Sequence, residues 1–136
     1  MRLVTAAFFC GILPAAAAAN CDTAKLALCT MHALGDAPGV TAPCAIAQCA
    51  TADAVFDYMA FAGDAFVRVD MLDGGQGRMN ANLGTMGSTD GTESVIESFP
   101  VRVVAPFTYR DGDDPLFEIA PCDDRCAGVD ADGLME

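Results

Sequence analysis

Along the chain the spacing of apolar side chains changes once, near Gly63. Before it, Ala24, Ala27, Leu28 and Met31 recur at intervals that place them on one face of a helix. Asp22 or Thr23 is placed to cap that helix and Gly35 to end it, and Asp36 to Gly39 reads as a turn around Pro38. Thr41 and Pro43 suit the cap and first turn of a second helix. Thr51 or Asp53 is placed to start a fresh segment through Val55, Phe56, Met59 and Ala60, which Gly63 ends. The pattern leaves open whether 43–62 is one helix or two abutting ones.

After Gly63 the period becomes two. Val67, Val69 and Met71 oppose Arg68 and Asp70, and Met79, Ala81 and Leu83 oppose Arg78, Asn80 and Asn82. Asp73 to Gly77 and Gly87 to Gly91 are turns. Residues 93–99 suit a strand through Val95, Glu97 and Phe99 or a short helix starting at Thr92 or Glu93. The clearest strand runs through Val101, Val103, Ala105, Phe107 and Tyr109, with Pro106 marking an edge or bulge. Asp111 to Pro115 turns the chain into a last strand, Leu116 to Ala120, and the residues after Cys122 read as loose. The expected class is α+β: two N-terminal helices packed on a four- to five-stranded antiparallel meander.

The 136 residues suffice for one domain. Its start has the three parts of a cleavable leader: Arg2, the apolar run Leu3 to Leu13, and Ala17-Ala18-Ala19 after Pro14. Residues 1–19 are therefore expected to be a signal peptide cut before Asn20, leaving 20–136 as a single exported domain, periplasmic or extracellular. The apolar run is too short for a membrane span, which needs about 20 residues. Asn20 before Cys21, and Phe9 before Cys10, are the wrong neighbours for lipidation.

Outside the leader, six basic residues (Lys25, Arg68, Arg78, Arg102, Arg110, Arg125) face nineteen acidic ones, and the whole chain carries a net charge of −12. Nine carboxylates lie between Asp111 and Glu136, with Arg125 the one base after Asp111. Nucleic acid and anionic membranes are repelled by such a surface, and a basic protein or a cation is its complement. Asp111, Asp113, Asp114, Asp123 and Asp124 are the candidate partner-binding residues. A purely solubilising role is the plainer alternative.

Six cysteines remain beyond the leader: Cys21, Cys29, Cys44, Cys49, Cys122 and Cys126. An even number in an exported chain argues for disulfides. If the first two elements form a hairpin, Cys21 with Cys49, Cys29 with Cys44, and Cys122 with Cys126 across a turn is a natural set. Cys21 and Cys29 are eight positions apart and Cys44 and Cys49 five, a mismatch to be absorbed. Bridges from the tail back to the first elements are the alternative.

Catalytic chemistry is weakly represented. Ser88, Ser94 and Ser98 lie in no Gly-x-Ser-x-Gly motif. Asp73 to Arg78 resembles a phosphate or calcium loop only superficially and reads as a hairpin turn; Asp130 to Glu136 resembles half of a calcium loop. His32, the single histidine, fits a surface ion pair with Asp36. The leading expectation is a non-enzymatic binding or inhibitor-like module without a cofactor. The alternative is a redox or metal-handling protein that uses Cys122 and Cys126 with His32, Met31, Met59, Met79 or Met86.

Overall fold

The computed structural model describes residues 20–34, 38–86 and 94–136. The expected leader (1–19), the helix stop at Gly35, the Asp36 end of the first turn, the Gly87–Gly91 turn with Ser88, and the alternative helix start at Thr92 or Glu93 lie outside the described residues.

The described chain is almost entirely β. Its strands are β1 (Asn20–Cys21), β2 (Lys25–Met31), β3 (Val40–Ala50), β4 (Val55–Ala60) and β5 (Phe66–Met71), followed by β6 (Gln76–Gly84), β7 (Ser94–Ala105), β8 (Thr108–Asp111) and β9 (Asp114–Ala120). From β2 onward each strand pairs antiparallel with the next, and β9 returns to pair with β2, so eight strands close into an up-and-down barrel. The short β1 extends alongside β3, with Cys21 opposite Cys49. One short helix, α1 (Ala131–Met135), packs on the outside against β3.

The expected pair of N-terminal helices is therefore wrong: Lys25–Met31, Val40–Ala50 and Val55–Ala60 are strands. The cause is burial on both faces. In β2, Ala27, Cys29 and Met31 point into the barrel, yet Leu28 between them is also buried. In β3 and β4, Cys44 and Met59 face inward, while Ala45, Ala47, Cys49, Phe56, Tyr58 and Ala60 form a second apolar cluster on the outer face. Ala131, Leu134 and Met135 cover that cluster. A strand buried on both sides loses its alternation, and what remains resembles a helical stripe.

β5 and β6 keep a clean period of two. Val67 and Val69, and Gly77, Met79, Ala81 and Leu83, are buried inside, whereas Arg68 and Arg78 lie on the outer face. The strand expected through Val101 to Tyr109 is split, because Ala105 to Thr108 makes the β7–β8 turn with Phe107 at a φ of 55°. Pro43 lies in β3 ahead of the β4 pairing, where β2 is the strand's partner among the described residues.

Three disulfides staple the fold: Cys21–Cys49, Cys29–Cys44 and Cys122–Cys126. The partners are those of the nested arrangement, carried on strands instead of helices. The three-residue spacing mismatch is absorbed in two places. The β1–β3 and β2–β3 registers differ by one residue across the break at 22–24, and Cys29 reaches Cys44 diagonally, two residues beyond Cys44's direct partner Ala27.

Candidate functional site

An eight-stranded barrel has an interior just wide enough to be filled by side chains or to hold one small ligand. Here it is filled: Met31, Met59, Met79, Leu83, Tyr109 and Phe117 are among its fully buried side chains. The methionines that sequence alone leaves open as metal ligands are core members, and Met86 packs against the same core.

Among the described residues one charged group is buried inside. Asp57 on β4 is 2% exposed and faces the interior beside its cross-strand neighbour Val69. The Tyr109 hydroxyl donates to Asp57 Oδ2 from β8, the strand diametrically opposite in the ring. The Gln48 side-chain amide donates to Oδ1 at 3.4 Å, and the Phe107 backbone supplies a further hydrogen bond. Burial pushes the Asp57 carboxyl up, opposed by these hydrogen bonds, with the Asp22 charge raising it further. Burial, and then the charge of Asp57, pushes the Tyr109 phenol well above its usual range. The hydrogen bond between them tethers opposite walls of the barrel. Sequence reasoning missed it by placing Asp57 on a helix; the available signal was a lone acid among Val55, Phe56, Tyr58 and Met59.

On the outer face, β4 and β5 carry an aromatic row. Phe66 stacks on Tyr58 with ring centres 5.8 Å apart, Phe56 meets Tyr58 edge-on, and the Arg68 guanidinium lies 3.8 Å over the Phe56 ring. Arg68 is also bound to Asp70 at 2.8 and 3.2 Å. Between this row and α1 lies a cavity of about 350 Å³, within the size range of small-ligand pockets. Burial pushes the Tyr58 phenol up, with Arg68 acting against it.

The five aspartates expected to bind a partner are all exposed, but they form two patches. Asp111, Asp113 and Asp114 flank the β8–β9 turn, where Arg102 reaches Asp113 at 3.8 Å and Arg110 donates to the Asp113 carbonyl. Asp123 and Asp124 follow β9, whose seven residues separate the patches by roughly 20 Å at the usual rise of a strand. Arg125 pairs with Asp123 at 2.6 Å and holds its carboxyl down at about 2.

Cys122 and Cys126 are joined across the turn Asp124–Cys126. His32 pairs with Glu118 at 2.5 Å, and its backbone amide bonds the Leu116 carbonyl; its expected partner Asp36 lies outside the described residues. Leu116 is near the start of β9 and Cys122 follows its end, so His32 and the cysteine pair do not converge. Among the described residues no three His, Cys, Asp or Glu side chains are grouped to hold a metal, and no helix is long and apolar enough to cross a membrane.

The fold and these surfaces define a closed up-and-down barrel, stapled by disulfides, with its interior filled and most of its charge on the outside. Compared with family models, with curated proteins and with solved structures, the chain matches none of them.

Proposed function

We propose that the protein is an exported, non-enzymatic binding module whose acidic outer surface takes a basic macromolecular partner. The observation that carries this reading is the contrast between a packed interior and a surface rich in unneutralised charge. All nine carboxylates from Asp111 to Glu136 are exposed, and few have a cation beside them. The two aspartate patches stand apart by the length of β9, so a ligand that engages both is itself large. Three disulfides in a chain of this size are typical of exported proteins and support the compartment.

Attraction between exposed charges is screened over about 8–10 Å at physiological ionic strength, so binding of this kind is fast and weakened steeply by salt. The test immobilises the protein and offers a panel of basic exported proteins, lysozyme-like ones first, at low and high salt. Capture is expected at low salt. It is expected to be lost when Asp111, Asp113, Asp114, Asp123 and Asp124 are changed to Asn, with the melting temperature unchanged or raised. Asn at 123 retains an acceptor for the Arg125 amide that Asp123 now caps. Equal capture by the neutralised variant, or none by the native protein, ends the reading.

A further inference from the structure

The cavity between α1 and the β4–β5 face is set apart from the aspartate patches by its composition. Tyr58, Phe61, Phe66 and Leu134 give it an apolar wall, and Asp64 and Glu136 are its charged lining residues. Among the described residues no basic side chain lines it. Arg68, whose charge acts on Tyr58, is held by Asp70 and stacked on Phe56. Tyr58 is 9% exposed and lines the cavity, yet among the described residues no group hydrogen-bonds its hydroxyl. A phenol that lines a hollow without a protein partner offers its oxygen as an acceptor to a hydrogen-bond donor bound there.

We propose that this groove binds a small organic cation, an amine on an aromatic or alkyl body. The body lies against the stacked Tyr58 and Phe66 rings and Leu134, and the ammonium faces Asp64 and Glu136. Two carboxylates without a lining base favour a cation over its neutral or anionic analogue. The neighbouring Arg68–Phe56 contact shows the same row of rings already accepting a cation on a ring face. The site shares no residue with the aspartate patches, so it stands or falls independently of them.

The chain has no tryptophan, which makes an indole amine a clean probe. Tryptamine, excited beyond tyrosine absorption, reports its own binding through anisotropy; 3-methylindole is the neutral control and indole-3-acetate the anionic one. The full chain is expected to bind tryptamine about tenfold more tightly than 3-methylindole, a difference of about 1.4 kcal/mol, and indole-3-acetate more weakly still. The D64N/E136Q protein is expected to lose that preference while keeping its affinity for 3-methylindole. Asp64 has a φ of 64°, a left-handed conformation that Asn tolerates equally, so the variant retains the β4–β5 loop. Phe66→Leu is expected to weaken all indoles together. D111N/D113N/D114N is expected to leave tryptamine binding intact. The proposal is overturned if the folded protein binds no tryptamine at millimolar probe, or if the three indoles bind equally. A loss in D111N/D113N/D114N as large as in D64N/E136Q also overturns it, since that marks diffuse attraction to an acidic surface.

Discussion

Burial raises the Asp57 carboxyl above its ordinary value of 3.8, so folding takes up a proton at this site over the pH interval that begins there. The stability it contributes is full below that value and is lost as pH rises through the elevated folded value. Asp57→Asn removes the charge and keeps an acceptor for the Tyr109 hydroxyl. It is expected to flatten this part of the stability–pH curve and to leave the neutral-pH melting temperature equal or higher. Tyr109→Phe instead strips a donor from a buried carboxylate, at a cost of about 1.5–3 kcal/mol near neutrality that shrinks in acid. Urea melts of both variants at acid and neutral pH check this; an Asn variant that loses more at neutral pH than in acid contradicts it. Gly77 is constrained from the same interior. A Cβ there would stand 2.8 Å from Val69 Cγ1 and 3.1 Å from Val103 Cγ2, both on stiff β-branched side chains. Gly77→Ala is expected to cost about 1–3 kcal/mol despite the better strand propensity of alanine, read as a lower urea midpoint at unchanged slope.

At the scale of elements, the disulfides divide by the loops they close. Cys21–Cys49 and Cys29–Cys44 span 28 and 15 residues, whereas Cys122–Cys126 spans 4. Loop-closure entropy makes the tail bridge worth roughly 1 kcal/mol less than Cys29–Cys44. Replacing Cys122 and Cys126 by Ser is expected to lower the melting temperature least, and losing either long-loop bridge to lower it by several degrees more, as thermal melts of the three variants will show. A tail variant as destabilised as the other two would mean that Cys126, packed near β2 and β3, anchors more than its loop. The same elements show what the sequence made legible. β5 and β6 are plain in the pattern because one face meets the interior and the other carries the polar side chains. β2, β3 and β4 are not, since Leu28, Ala45, Ala47, Phe56 and Tyr58 are buried outside the barrel as well. Their outer cover is α1 and the tail, distant in sequence and without periodicity of their own. The cysteine partners were within reach because nesting depends on antiparallel geometry and not on whether the arms are helices or strands. The groove was not, because Asp64, Tyr58 and Leu134 meet only once the barrel has formed and α1 has docked on it.

For the molecule as a whole, closure rests on the seam where Leu28 to Met31 meet Phe117 to Ala120. Every other pairing in the ring joins strands adjacent in sequence. During synthesis β2 therefore waits for its second partner until roughly 80 more residues have been made, about 5–15 s at ordinary elongation rates. Throughout that interval its outer row of amides and carbonyls is an open edge of the kind that recruits strands from other chains. The Cys29–Cys44 bridge ties β2 to β3 at the level of this edge, and Cys21–Cys49 ties down the residues before it. A nascent chain oxidised early thus keeps its first hairpin in register while the rest arrives, whereas a chain kept reduced presents a loose, sticky strand to its neighbours for the whole of the wait.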